Sequence, residues 1–136
     1  GIRGMAGMTR ATRYGKVENY FTTAEQELCL VLQVETVAGL AELEEIAGTD
    51  GVDAVFFGPS DLSASMGHPG EMSHPEVVAA IEDGLARLKR IGVPGGVMAL
   101  QPDEAKRYAE KGSRFTAVGV DLVMLADALK DLRAAF

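Results

Sequence analysis

Two acidic residues, Glu35 and Asp61, each follow a hydrophobic segment of the sequence. Glu35 comes at the end of LCLVLQVE, and Asp61 comes shortly after VFFGP. Their separation of 26 residues matches one strand-helix-strand repeat, so both are predicted at the carboxyl ends of neighbouring parallel strands. Such strands lie about 4.8 Å apart, and two carboxylates so placed would repel each other without a cation between them. Oxygen ligands suit hard ions such as Mg²⁺, Mn²⁺ or Co²⁺, so the sequence predicts a divalent-metal site.

Two polar residues accompany the acids. Gln33 precedes Glu35 by two residues, and because strand side chains alternate, both are predicted on the same face. Ser60 stands directly before Asp61. We expect the Gln33 amide and the Ser60 hydroxyl to contact a substrate that is bound beside the metal.

The residues Gly58 and Pro59 are predicted to form a tight turn after the second strand. Backbone amides in that turn could approach an oxyanion, although a turn that binds nothing fits these residues equally well. Asp61 also has a second interpretation, as the cap of a short helix over LSASMG. The combination of Gln33, Glu35 and Asp61 favours the metal site over a pair of unrelated surface acids.

Other polar residues leave more than one interpretation open. His68 and His74 flank the loop HPGEMSHP and could ligate a metal or move protons. Each is followed by a proline, however, and His-Pro pairs in loops more often start a helix. The basic opening of the chain could face an anionic substrate or simply be a solvated loop; its arginines are Arg3, Arg10 and Arg13.

Strand patterns alternate with helix patterns along the whole chain. Short apolar runs rich in Val and Leu predict strands that are buried on both faces, and amphipathic segments predict the helices between them. Strands are predicted at residues 28–36, 51–59, 94–100 and 115–121, and helices at 37–48, 74–92, 102–112 and 122–136. Four consecutive strand-helix units indicate a parallel α/β architecture.

Two parallel architectures compete, an open doubly wound sheet and a (β/α)₈ barrel. A complete TIM barrel needs roughly 250 residues, and 136 residues with four units amount to half of it. An open sheet of four strands would expose two edges, which natural proteins avoid. We therefore predict the C-terminal half of a (β/α)₈ barrel, strands five to eight with their helices. Residues 1–136 are expected to be the C-terminal portion of one domain whose N-terminal half is absent.

The charge and hydropathy of the chain limit the kinds of partner that it can bind. The net charge of −7 and the pI near 4.8 argue against nucleic-acid or anionic-membrane binding. No apolar run reaches the roughly 18 residues that a membrane span requires, and no signal peptide is visible. We expect a cytoplasmic protein with a small-molecule partner. Cys29, the single cysteine, is predicted to be a buried thiol in the first strand.

Several motifs of the chain resemble the HpcH/HpaI aldolases, which are metal-dependent class II aldolases of the phosphoenolpyruvate/pyruvate barrel superfamily. The matching segments occur in the order and spacing of that family; they are GIRG, LQVET, DGVDAVFFGPSDLSASMG, SHPEV, RYAEKG and FTAVGVD. The sequence is similar in particular to 4-hydroxy-2-oxoheptanedioate and 2-keto-3-deoxy sugar-acid aldolases.

This resemblance implies a role for each residue of the predicted site. Glu35 and Asp61 are implied as metal ligands, Gln33 and Ser60 as substrate contacts, and the backbone of Gly58 and Pro59 as pocket lining. The implied reaction cleaves or forms a carbon-carbon bond of a 2-keto acid and gives pyruvate and an aldehyde.

The resemblance also implies groups that this sequence does not supply. Family members use a His base, an Arg and a supporting Asp from the first half of the barrel, so we expect this segment alone to turn over poorly. A homo-oligomer is implied as well, since family members commonly form hexamers in which the last helix packs on another subunit. Two rival functions stay open, a citryl- or malyl-CoA-type lyase and a non-catalytic metal- or ligand-binding half-barrel.

Overall fold

The computed structural model describes residues 4–136, and Arg3 lies outside the described residues. Four strands form one parallel sheet in the order β1-β2-β3-β4. The strands are β1 (Val31–Val34), β2 (Ala54–Phe57), β3 (Gly95–Met98) and β4 (Phe115–Ala117). Sequential neighbours in a parallel sheet require crossover helices, as the alternating pattern predicts.

Seven α-helices accompany the sheet in the described part of the chain, and a 3₁₀ turn covers Ala24–Glu27. The helices are α1 (Tyr20–Thr23), α2 (Val37–Ala41), α3 (Leu43–Ala47), α4 (Pro59–Ser65), α5 (Pro75–Ile91), α6 (Pro102–Glu110) and α7 (Asp121–Ala134). None of the described helices is long and apolar enough to cross a membrane.

Helix α5 follows its sequence signals closely. Pro75 occupies the first turn, where its missing N–H costs nothing, and Gly92 ends the helix with a φ of 77°. Its buried face, which includes Ile81 and Leu85, packs on the sheet. At Gly84 a side chain would collide with the ring of Phe57, so this glycine allows the helix to approach β2 closely.

Two sequence predictions were wrong in detail. The helix predicted over residues 37–48 is broken at Glu42, whose φ of −99° and ψ of 17° separate α2 from α3. The break lets α3 bury Leu43 and Ala47, while α2 buries no residue. Cys29 is exposed, because β1 begins at Val31, three residues later than the apolar run suggests.

The two faces of the sheet differ. One face lies under the helices and contributes Val34, Val55, Phe57 and Val97 to the hydrophobic core. The opposite face, which would line the interior of a barrel, carries one row of residues in register across the sheet: Gln33, Phe56, Gly96 and Phe115. The rings of Phe56 and Phe115 stack at 5.8 Å across the intervening glycine.

Helix α7 stands apart from this core. None of its residues is buried, although apolar side chains recur at helical spacing along it. The exposed apolar residues of this segment are Leu122, Val123, Met124, Leu125, Leu129, Leu132 and Phe136. An amphipathic helix with an uncovered apolar face is a surface that another element can cover.

Arg87 of α5 ties α2 and α3 to the rest of the fold. Its guanidinium donates from Nε to Glu44 Oε1 at 2.7 Å and from Nη1 to the carbonyl oxygen of Leu40 at 2.8 Å. A second bond joins Nη2 to Glu44 Oε2. The bidentate contact lowers the pKa of Glu44 from 4.5 to about 2, because the charged carboxylate is the form that accepts these hydrogen bonds.

We predict that Glu44→Gln flattens the acid dependence of stability. A depressed pKa gives stabilisation that is fully present above pH 4.5 and is lost as the pH falls through about 2. Thermal melts followed by circular dichroism across that range should therefore show a smaller decline in Tm for the variant than for the wild type. Glu45→Gln, which removes the neighbouring charge on α3, should keep the wild-type decline. Identical pH profiles for the wild type and Glu44→Gln would contradict the prediction.

Candidate functional site

Glu35 and Gln33 meet at the carboxyl end of β1. Glu35 directly follows the strand, and Gln33 is its third residue. The Gln33 amide donates from Nε2 to Glu35 Oε2 at 2.6 Å. Both side chains therefore lie on the same face, as strand alternation predicts, and one carboxylate oxygen is held in a fixed direction.

Gly58, directly after β2, fits against this contact. A Cβ atom at this position would lie 2.7 Å from Gln33 Nε2 and 3.0 Å from Glu35 Oε2. The Gly58 amide donates to the carbonyl oxygen of Val34 at 3.3 Å, which extends the β1–β2 pairing to the end of the strands. The absence of a side chain at Gly58 thus leaves the space that the polar groups of β1 occupy.

Asp61 follows three residues later in the first turn of α4. The helix begins at Pro59, with Gly58 as its N-cap, so Asp61 does not cap it as the second sequence interpretation proposed. The side chains of Ser60 and Asp61 are exposed. Buried Ser63 donates to the carbonyl oxygen of Ser60 at 2.7 Å and stabilises this turn.

A further hydrogen bond couples the two chain segments that carry the acids. Ser65, the last residue of α4, accepts from the backbone amide of Val37 through its Oγ at 3.0 Å. Val37 begins α2, two residues after Glu35. The segments after β1 and β2 are therefore joined at the far end of α4 as well as at Gly58.

The histidines occupy a loop between α4 and α5. His74 is the N-cap of α5, and its Nδ1 accepts from the backbone amide of Glu76 at 3.3 Å, so it starts the helix as the sequence interpretation favoured. His68 Nε2 lies 2.9 Å from Glu76 Oε2. This hydrogen bond with His68 lowers the pKa of Glu76. No spacing signal in the sequence predicts Glu76 as a partner of these two rings.

The basic opening loop is organised around Thr12. The hydroxyl of this buried residue lies 2.8 Å from the carbonyl oxygen of Gly7 and accepts from the amide of Gly15 at 3.0 Å. Arg10 and Arg13 in the same loop are exposed. That these arginines bind an anionic substrate stays a prediction.

The side-chain chemistry of Glu35, Asp61 and Gln33 suits a hard divalent cation. Two carboxylates and an amide side chain supply oxygen donors of the type that Mg²⁺ and Mn²⁺ prefer. The Nε2 group of Gln33 occupies only one Glu35 oxygen, and the second, Oε1, is not involved in that bond. Gly58 keeps the space beside these groups clear of a side chain.

Four parallel strand-helix units define half of a TIM-barrel-type α/β fold, and polar groups lie at the carboxyl ends of β1 and β2. Characterised enzymes of this fold have their active sites at that edge of the sheet. A family model described as HpcH/HpaI aldolase/citrate lyase matches residues 1–128. The chain belongs to the HpcH/HpaI aldolase/citrate lyase family.

Individual relatives agree with this assignment. The chain is 56% identical over 138 residues to a pyruvate aldolase of Rhizobium etli. The alignment covers 100% of this chain and 54% of that protein. It is 54% identical over 134 residues to a hydroxypyruvate/pyruvate aldolase of Sagittula stellata, with coverage of 98% and 53%. The chain thus spans about half the length of these curated relatives.

A solved structure shows the same fold. The crystal structure of an HpcH/HpaI aldolase/citrate lyase family protein from Burkholderia cenocepacia superimposes with a TM-score of 0.89 at 40% sequence identity. The match covers 99% of this chain and 52% of that protein. The predicted family and the barrel-type α/β fold are confirmed.

We predict that Gly58→Ala displaces Gln33 or Glu35. The new Cβ would come closer to Gln33 Nε2 than non-bonded atoms allow, whereas the φ of −99° at this position suits alanine. The atoms that the Cβ would meet are the ends of two flexible side chains, so we expect these side chains to move with little change in the free energy of unfolding. The side-chain amide resonances of Gln33 should shift in nitrogen-15 NMR spectra, and denaturant titration should show a stability close to that of the wild type.

Gly4→Ala is the matched control, because a Cβ at Gly4 would meet no atom within 4 Å. This variant should retain wild-type stability and the Gln33 resonances. Unchanged Gln33 resonances in Gly58→Ala would show that the contact does not depend on the glycine.

Proposed function

We propose that residues 1–136 form the C-terminal half, strands five to eight, of a metal-dependent class II aldolase. The enzyme cleaves or forms the carbon-carbon bond of a 2-keto acid, with pyruvate and an aldehyde as the other reactants. The observation that carries the proposal is the Gln33–Glu35 contact, packed against Gly58 at the carboxyl ends of β1 and β2. The names of the relatives, both pyruvate aldolases, support the substrate class.

Glu35 and Asp61 are the residues that would hold the divalent ion, Mg²⁺, Mn²⁺ or Co²⁺. When bound, such an ion supplies Lewis-acid polarisation of the keto and carboxylate oxygens of the substrate, which is worth several kcal/mol in a transition state that develops negative charge. The two acids come from different strand ends, and the Ser65–Val37 and Gly58–Val34 hydrogen bonds fix the segments that carry them.

The other site residues bind and orient. Gln33 holds one oxygen of Glu35 through Nε2, which sets the direction of the remaining oxygen. The exposed Ser60 hydroxyl, beside Asp61, is available to a polar group of the substrate. The backbone of Gly58 and Pro59 borders the same space. Below it, the stacked rings of Phe56 and Phe115 provide an apolar layer on this face of the sheet.

Proton transfer requires a base that these residues do not provide. The chain contains two histidines, and both lie in the loop before α5, where they contact Glu76. We therefore propose that the base comes from the other half of the barrel and that residues 1–136 alone turn over poorly.

The aldolase assignment is favoured over a citryl- or malyl-CoA-type lyase by the names of relatives that share more than half of the residues. A non-catalytic binding module would bind the metal without catalysis. Activity measurements on a protein that joins this chain to the rest of a barrel would distinguish an aldolase, a CoA-type lyase and a non-catalytic binding module.

The cytoplasmic location stays a prediction.

We predict that Glu35→Gln and Asp61→Asn each lower kcat/KM for pyruvate-aldehyde condensation at least about a hundredfold in such a protein. Loss of about 3 kcal/mol of charge stabilisation corresponds to that factor. A chelator should abolish wild-type activity, and added Mn²⁺ should restore it in the wild type but not in the variants. Asp103→Asn, which changes an exposed acid in the first turn of α6, should remain active. Full activity of the chelated wild type would refute the metal requirement.

We further propose that the protein is a homo-oligomer in which another subunit covers α7. The support is the helix itself, which buries none of its residues and exposes apolar side chains along its length. The exposed fraction of Leu125 is 57%, and that of Leu129 is also 57%. Covering this face would remove the apolar surface from water, which is the main driving force of obligate association.

We predict that Leu125→Glu combined with Leu129→Glu dissociates the oligomer, because the interface would have to bury two unpaired carboxylates. Light scattering coupled to gel filtration should give a lower mass for this double variant. Lys130→Glu alters charge on the same helix without changing its apolar residues and should keep the wild-type mass. A monomeric wild type would overturn the proposal.

A further inference from the structure

Two consecutive turns bring the histidines of the chain together. In the first, Pro69 and Gly70 occupy the central positions of a type II turn, where the φ of 82° at Gly70 is the value that this turn requires. Glu71 closes it by donating its amide to the carbonyl oxygen of His68 at 3.0 Å. In the second, His74 donates its amide to the carbonyl oxygen of Glu71 at 2.9 Å.

The side chains converge as a result. The imidazole rings of His68 and His74 stack with centroids 3.6 Å apart and planes inclined by 15°. Glu76, in the first turn of α5, places Oε2 at 2.9 Å from His68 Nε2. One donor atom from each of the three residues lies within 4.8 Å of the other two.

We propose that His68, His74 and Glu76 form a binding site for a borderline first-row divalent ion such as Zn²⁺, Ni²⁺ or Co²⁺. Imidazole nitrogen suits these ions, whereas Mg²⁺ and Mn²⁺ favour oxygen, so the site differs in selectivity from the carboxylates at the strand ends. Two histidines and a glutamate are a ligand set that Zn²⁺ accepts, with water in the fourth position.

Coordination requires the two imidazole rings to rotate out of their stacked arrangement, because each nitrogen lone pair lies in its ring plane and parallel rings cannot both direct one at a single ion. Ligand atoms in a tetrahedral zinc site with bonds of about 2.0–2.1 Å are separated by about 3.4 Å. The present donor atoms lie within 4.8 Å of one another, and Glu76 is exposed, so its carboxylate is free to adjust. The backbone turns already hold both histidines on one side of the loop.

Metal binding competes with one existing contact. His74 Nδ1 accepts from the Glu76 amide at 3.3 Å, a long distance for a hydrogen bond. Ligation through Nε2 would place the ring proton on Nδ1 and replace that contact. The positive end of the α5 dipole also disfavours a cation, and the Glu76 carboxylate in the first turn offsets it.

The site has a structural consequence. The loop that carries both histidines connects α4, which bears Asp61, to α5. Ser73 in the same loop donates to Glu104 Oε1 at 2.5 Å and so links the loop to the first turn of α6. An ion at the histidines would fix the spacing between these elements and raise the thermal stability of the protein by mass action.

The test uses the untagged chain and Zn²⁺ as the probe. Because the sequence contains only two histidines, every imidazole signal in a long-range proton-nitrogen NMR spectrum comes from this site. We expect one equivalent of Zn²⁺ to shift a ring nitrogen of both histidines together, and the same shifts to occur in a Glu35→Gln, Asp61→Asn double variant. The readout therefore does not depend on aldolase activity.

Three variants probe the ligands. His68→Gln, His74→Asn and Glu76→Gln should each weaken Zn²⁺ binding at least tenfold in calorimetric titrations, and asparagine retains the ability to cap α5. Glu71→Gln, an acid of the same loop outside the cluster, should bind as the wild type does. Imidazole resonances that do not move with Zn²⁺ in the wild type, or two histidines that titrate with different affinities, would overturn the proposal.

Discussion

The parallel register between β1 and β2 is the constraint on which the candidate active site depends. It places Val34 opposite Phe57, so that the next residues along the two strands, Glu35 and Gly58, emerge side by side. The Gly58 amide continues the pairing by donating to Val34. A shift of this register by one residue would turn Glu35 towards the helices and bring Val34 to the polar face.

Each face of the sheet then takes a separate role. The face with Val55 and Phe57 is buried under α5, where Gly84 permits close approach, and supplies most of the hydrophobic core. The opposite face carries Gln33 and the stacked rings of Phe56 and Phe115. Packing thus stabilises the sheet from one side only. The other side carries Gln33, near the carboxyl end of β1, and the two aromatic rings.

The connections after β1 and β2 determine how the acids are held. Glu35 is fixed by Gln33, and the segment that carries Asp61 is attached to the beginning of α2 through Ser65. Arg87 in turn attaches α2 and α3 to α5 through Leu40 and Glu44. The charged contacts of the surface therefore support the arrangement of the site, although they lie outside it.

Much of this could be read from the amino-acid sequence, because local patterns determine it. Periodicity gave the four strand-helix units, Pro75 and Gly92 marked the ends of α5, and strand alternation predicted that Gln33 and Glu35 share a face. Long-range contacts decided the rest. The break at Glu42 and the exposure of α7 depend on how elements pack in three dimensions, and the energy of that packing is not determined by any single segment.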